Sequence, residues 1–191
     1  MPDELPLETV EVRWFVRGAI PAAADAWFDA VAPAAEASAR TDLYALPTSA
    51  DAAVKRRGGA HAERKARTGV ASPVSCGGVS ATPEHWRKTR VAALPPGPTV
   101  EVAKRRRLAH ARTSSGACTL ELAAVDARGE AWWTVCLEAT GKAPDARERA
   151  LLEACQRWLA HPDTPALAAD RAQAYPSWLR ALAAEPDRPP V

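Results

Sequence analysis

The chain has 191 residues and a mass of 20.3 kDa, which fits a single domain, because one hydrophobic core serves chains of up to roughly 250 to 300 residues. Hydrophobic residues make up 47% of the chain and charged residues 25%, a composition that excludes a wholly disordered protein. No apolar run approaches the roughly 20 residues of a membrane-spanning helix, so we expect no membrane partner.

The N-terminal residues begin with acids and lack a basic start followed by an apolar stretch, which disfavours a secretory signal and predicts a cytoplasmic protein. The cysteines and histidines are scattered without the close pairs of a zinc site. A chain of this size without an export signal needs no disulfides, so we expect all four cysteines to be reduced. They are Cys76, Cys118, Cys136 and Cys155.

The net charge of +2 conceals an uneven distribution. The segment from Lys55 to Arg112 holds 14 Lys and Arg but 3 Asp and Glu, and the rest holds 11 basic and 20 acidic residues. A basic block of this kind indicates an anionic partner, which leaves open a phosphorylated small molecule, a nucleic acid, an acidic protein surface or simply a solvated charged face.

The first half of the chain begins with a period-two pattern at 9–17, where Val10, Val12 and Trp14 alternate with polar residues and predict a strand. An alanine-rich segment at 20–40 predicts a helix, and 41–47 a short strand. Two further strands, 52–59 and 61–67, are separated by a glycine pair that is typical of a hairpin. The stretch from 68 to 98 is predicted as connecting structure with a short helix at 84–91.

The second half alternates again and then turns helical. Strands are predicted at 99–112, 118–125 and 132–139, followed by a helix from Pro144 to Pro162. A short helix at 166–174 and a last turn at 177–182 complete one domain over 1–182, and 183–191 is predicted as a disordered tail. Short turns between successive strands indicate an antiparallel α+β protein. Because charges of both signs recur on one face of several strands, we expect those faces to enclose a charged lumen.

The ordered series of charged strands resembles the CYTH superfamily, the triphosphate tunnel metalloenzymes, over most of the chain. The first strand, Thr9 to Val16, is similar to the family's Glu-x-Glu-x-Lys strand. The family's tyrosine strand is matched by Tyr44, its Arg-x-Arg strand by Lys55 to Arg57, and its strand with an inward lysine by Glu63 to Lys65. Its later Lys-x-Arg strand is matched by Lys104 to Arg106, and its two acid-bearing strands by Glu121 and by Cys136 to Glu138. Its Ser-Tyr-x-x-Leu type end is matched by Ala174 to Leu179.

This resemblance implies an eight-stranded antiparallel barrel that binds a triphosphate-bearing small molecule and hydrolyses its phosphoanhydride bond. Arginine forks and lysine point charges suit phosphate oxygens, and inward carboxylates suit Mg²⁺ or Mn²⁺. The implied catalytic residues are Glu11 and Glu138, and the implied metal ligands are Glu11, Glu121 and Glu138, with Glu63 as a further candidate. The implied phosphate-binding residues are Arg13, Lys55, Arg57, Lys65, Lys104 and Arg106, where Lys104 and Arg106 are chosen as the inward pair of their basic run.

The chain departs from the family pattern at the metal site. Thr9 stands at the position of the first glutamate, Arg13 replaces the lysine, and Cys136 stands in a closing strand that often carries Glu-x-Glu. Two carboxylates are therefore missing, which predicts weaker metal binding because hard cations prefer oxygen ligands. We expect Cys136 to be a small buried thiol.

Three other functions stay open at this point. A cyclase would use the same clamp and let a ribose hydroxyl attack. A catalytically inactive barrel would bind a polyanion or nucleotide, which the missing carboxylates favour. A basic nucleic-acid-binding domain is the third, and it is disfavoured because few aromatic residues lie among the basic ones.

Overall fold

The computed structural model describes residues 6–58 and 61–185. It contains ten strands, three α-helices and one short 3₁₀ turn, Ala169–Arg171, in that range. The strands are β1 Leu7–Arg17, β2 Glu36–Ala45, β3 Ala52–Arg57, β4 Ala62–Val70, β5 Val74–Cys76, β6 Val79–Ala81, β7 Glu84–Val91, β8 Thr99–Arg112, β9 Ala117–Ala127 and β10 Glu130–Thr140; the helices are α1 Ala22–Val31, α2 Pro144–Trp158 and α3 Tyr175–Ala184.

Eight of the strands form one closed antiparallel barrel in the order β1-β10-β9-β8-β2-β3-β4-β7, and β5 and β6 form a separate hairpin. Because side chains alternate along a strand, every barrel strand has one row of residues facing inward and one facing outward. The predicted α+β class with an eight-stranded antiparallel barrel is confirmed.

The outward faces of β1, β9 and β10 form the main hydrophobic core together with α1 and α2. Val12, Trp14, Leu122 and Leu137 are buried there, and Trp27 of α1 donates a hydrogen bond from its indole to the Trp158 carbonyl. Each large apolar side chain buried in this way stabilises the fold by about 1.5–3 kcal/mol. The apolar alternation at 9–17 was therefore the packed outer side of the barrel.

A second apolar cluster lies inside the barrel at one end, where α3 covers the strands. Phe15 of β1 stacks on Trp178 of α3 with ring centroids 4.5 Å apart, and Tyr44 of β2 stacks on Tyr175 at 5.4 Å. Val102 and Val125 complete this inward-facing cluster. We call this end of the interior the aromatic half.

Three predicted helices differ from the structure. The first is shorter than 20–40, because Pro33 follows α1 and Ser38, Arg40 and Asp42 then alternate along β2. The segment 84–91 is strand β7, whose charged sequence pairs with both β1 and β4, so pairing in the barrel outweighs local preference. Of 166–174 only the 3₁₀ turn is helical.

The prediction of reduced cysteines is wrong for one pair. Cys76 of the β5–β6 hairpin forms a disulfide with Cys155 of α2, across 79 residues of sequence. Gly77 explains the close approach, since a Cβ on it would lie 2.0 Å from the Leu159 carbonyl oxygen. Cys118 and Cys136 are free and buried, so the expected buried thiol at Cys136 is confirmed.

Two end-of-chain predictions can be compared with the structure in part. Residues 183 and 184 belong to α3, which corrects the predicted start of the tail, and 186–191 lie outside the described residues. No described helix is both long enough and apolar enough to cross a bilayer. The cytoplasmic location stays a prediction.

Candidate functional site

The other end of the barrel interior is a charged cavity of about 320 Å³, which we call the charged half. Eight basic side chains and four carboxylates line it: Arg13, Arg40, Lys55, Arg57, Lys65, Lys88, Lys104 and Arg106, with Glu11, Glu63, Glu121 and Glu138. The predicted lumen is confirmed, as is the inward phase of Lys104 and Arg106. Because basic side chains outnumber carboxylates, the cavity attracts an anion, and the basic groups surround it on several sides.

Arg13 lies in the middle of this cavity and holds two glutamates. Its Nε is 3.3 Å from Glu11 Oε1, and its Nη1 donates to Glu121 Oε1 at 2.6 Å and to the Thr134 hydroxyl at 3.1 Å. Arg106 donates from its Nε to the other Glu121 oxygen at 2.5 Å. Burial raises the pKa of Glu121, but Arg13 and Arg106 outweigh it and hold that pKa far below its ordinary value. The glutamate is thus an anion that fixes two arginines.

Glu11 and Glu138 lie directly opposite each other on β1 and β10. Lys65 donates to Glu11 Oε2 at 2.7 Å, and Lys88 donates to Glu138 Oε1. Burial raises the pKa of Glu11, yet Lys65 and Arg13 lower it to about 2, so this carboxyl is ionised at neutral pH. Each predicted catalytic carboxylate therefore faces a lysine.

Deeper in the barrel, Asp42 contacts two lysines at the border with the aromatic half. Lys104 donates to Asp42 Oδ2 at 2.9 Å and to the Tyr44 hydroxyl at 3.0 Å, and Lys55 Nζ lies 3.6 Å from the same Asp42 oxygen. Burial lowers the pKa of Lys55 to about 8 and lowers the pKa of Lys104 well below its ordinary value, with the neighbouring Lys55 adding to the second shift. Burial raises the pKa of Asp42, but Lys55 and Lys104 bring it down to about 2.

Tyr175, at the start of α3, forms the floor between the two halves. Its ring lies 3.9 Å from Lys104 Nζ and 5.0 Å from the Arg13 guanidinium carbon, which are cation–π distances. Tyr175 lines the cavity, and its buried hydroxyl finds no hydrogen-bond partner among the described residues. The hydroxyl can therefore donate to a ligand oxygen that reaches the floor.

The opposite end of the cavity is its mouth, where the charged residues give way to neutral ones. His110 is exposed there and its Nδ1 lies 2.9 Å from the Thr119 hydroxyl. Leu7, Leu108 and Thr140 also line this end. Whatever extends beyond the charged part of a ligand would contact these residues.

The predicted metal ligands do not form one cluster. Both oxygens of Glu121 accept hydrogen bonds from arginines, whereas Glu11 and Glu138 face lysines. The described residues contain no group of three or more His, Cys, Asp or Glu side chains that could hold a metal ion. The thiol of Cys136 lies where a carboxylate was expected, and burial raises its pKa well above the ordinary value, so it stays protonated. This donor set does not fit a resident divalent cation, and the binding of Mg²⁺ or Mn²⁺ stays a prediction.

All six predicted phosphate-binding residues line the cavity, and so do Glu11, Glu63, Glu121 and Glu138. Sequence reasoning missed Arg40 and Lys88 because it assigned both to helices. It missed Asp42 as a lumen residue because the lysines that Asp42 contacts are distant in sequence. The alternation of Arg40, Asp42 and Tyr44 was nevertheless a usable strand signal.

The basic residues that face outward are distributed differently. Arg107 contacts Asp25 and Asp29 of α1, and Arg87 donates to Glu8. Arg105 is exposed on the outer face of β8. About half of the basic block thus faces the lumen, and part of the rest pairs with acids.

No protein-family model matches the chain, and no curated protein matches it.

Proposed function

We propose that this protein binds the triphosphate group of a small molecule inside the charged half of the barrel, as a CYTH-like protein would. The observation that carries the proposal is the convergence of eight basic side chains from six different strands on one enclosed cavity. Arg13 and Arg106 offer planar forks to phosphate oxygens, and the lysines offer point charges.

The experiment is calorimetric titration of the full chain with inorganic triphosphate, using Arg106→Gln and Arg105→Gln as a matched pair. The two arginines are neighbours on β8, but one faces the cavity and the other faces outward. We expect Arg106→Gln to weaken binding about tenfold, which corresponds to about 1.4 kcal/mol, and Arg105→Gln to leave it unchanged.

Equal losses in both variants would contradict lumenal binding and favour the outer surface. In that case double-stranded DNA, titrated at several salt concentrations, should bind with an affinity that falls steeply with salt, as expected of the nucleic-acid-binding alternative.

Hydrolysis of the phosphoanhydride bond is a second candidate function. The observation that favours it is the pair of opposed carboxylates, Glu11 and Glu138, in the cavity, with the Glu138 side chain 26% exposed. The assay is phosphate release from triphosphate, thiamine triphosphate, ATP and GTP, with Mg²⁺, with Mn²⁺ and with a chelator. Turnover lost in Glu138→Gln supports hydrolysis, a cyclic nucleotide product would favour the cyclase, and stabilisation by the ligand without turnover leaves a binding protein.

A further inference from the structure

Four side chains from four strands form a closed group in the cavity. Glu11 of β1 and Glu138 of β10 are direct cross-strand partners, and Lys65 of β4 and Lys88 of β7 are direct partners too. Like charges in such positions are about 5 Å apart at their Cβ atoms and repel each other. Each like-charged pair here faces the other pair, so the group has no net formal charge.

The contacts show how the two pairs neutralise each other. Lys65 Nζ lies 2.7 Å from Glu11 Oε2, and Lys88 bonds to Glu138. Lys88 also lines the same cavity as Glu11, so both lysines face both carboxylates. Trp86 lies beneath Lys65, with the ammonium 4.5 Å from the centre of the indole ring. Both ammonium groups are therefore held in place beside the two carboxylates.

A divalent cation between Glu11 and Glu138 would have to displace these ammonium groups. It would need about six oxygen ligands, whereas the neighbouring groups here are lysines, Arg13 and the buried side chain of Cys136. Two ammonium groups carry the same charge as one divalent ion. Bringing a metal into this group would therefore add charge where charge is already balanced.

We infer that Lys65 and Lys88 supply the positive charge that a divalent cation would bring, so that the lumen binds a triphosphate group without metal. The inference rests on the proposed function. It predicts that metal is unnecessary for binding, whether or not hydrolysis follows.

The test is titration of the full chain with inorganic triphosphate in a chelating buffer and in Mg²⁺. We expect the dissociation constant in chelator to be equal to, or up to several-fold lower than, that in Mg²⁺, because Mg²⁺ reduces the charge of the free ligand. Binding that weakens tenfold or more in chelator would overturn the inference and leave the proposed function intact. Lack of binding in both buffers would overturn both.

A variant pair makes the role of the lysine explicit. Lys88→Gln should weaken binding in chelator about tenfold and regain part of it in Mg²⁺, because Glu138 then lacks its lysine partner and can bind the metal. The control is Lys142→Gln, an exposed lysine between β10 and α2, which should bind like the unmodified chain. Equal binding by the two variants in chelator would contradict the inference.

Should Lys88→Gln not fold, the double variant Lys88→Gln/Glu138→Gln leaves no unpaired carboxylate at this position. It should bind triphosphate more weakly than the unmodified chain, with no recovery in Mg²⁺. Binding as tight as that of the unmodified chain would rule out Lys88 as the source of the charge.

Discussion

The two halves of the barrel interior are built by the same strands and yet have opposite chemistry. Along β8 the inward residues change from Val102 to Lys104 and Arg106, and along β1 from Phe15 to Arg13 and Glu11. The aromatic half is closed by α3, whereas the charged half opens at the mouth. One half therefore stabilises the barrel and the other carries its polar chemistry, and Tyr175 of α3 separates the two.

The largest expected effect concerns the aromatic half. Trp178→Ala removes a side chain that is 1% exposed and stacked on Phe15, and it should lower the free energy of unfolding by about 3–5 kcal/mol. Urea denaturation followed by fluorescence measures this. Leu152→Ala on α2, where the side chain is 39% exposed, is the control and should change stability by about 0.5 kcal/mol or less. A small effect of Trp178→Ala would show that α3 is not needed to close the barrel.

A somewhat smaller effect is expected in the charged half. Arg13→Met leaves Glu11 and Glu121 without their shared partner and should cost about 3 kcal/mol, because a buried charge loses its counterion. Adding Glu121→Gln to Arg13→Met should restore part of the lost free energy of unfolding. A double-mutant cycle in urea measures this coupling. Additive losses would mean that the two side chains are not coupled, against the contact between them.

The smallest effect is a pH dependence of ligand binding. Burial lowers the pKa of Lys55 to about 8, below its value in an unfolded chain, so the folded protein loses this proton first as the pH rises. That loss makes unfolding harder as the pH rises from 8 to about 10.4, but it removes a positive charge from the cavity.

The dissociation constant for triphosphate should therefore rise several-fold between pH 7 and pH 9.5. Any change in the charge of the ligand over this range is the same for every variant, so it cancels when two variants are compared. Lys55→Arg keeps the charge of the side chain and should give a flatter curve than the unmodified chain. Identical curves for both proteins would exclude Lys55 from the binding site.

Sequence periodicity predicted the faces of the strands but not their ends. The alternation around Glu11, Arg13 and Lys104 identified an inward charged face, because alternation depends on the strand alone. It could not show that Phe15 and Val102, on the same faces, would lie in a separate apolar half, since that division depends on α3. Lys88 was missed because its strand is defined by pairing with β1 and β4, and the Cys76–Cys155 disulfide because it depends on how a hairpin packs against α2.

The floor formed by α3 has a consequence for the order of events in the cavity. Under the proposed function, a chain of phosphates that entered at the mouth would advance with its terminal phosphoryl group foremost, until that group met Tyr175 and Lys104. If the bond to that group were cleaved, the larger fragment would lie nearer the mouth and would have to leave before the inner phosphate. Exit would be sequential, and free orthophosphate, as the last product to depart, would compete with the next substrate molecule.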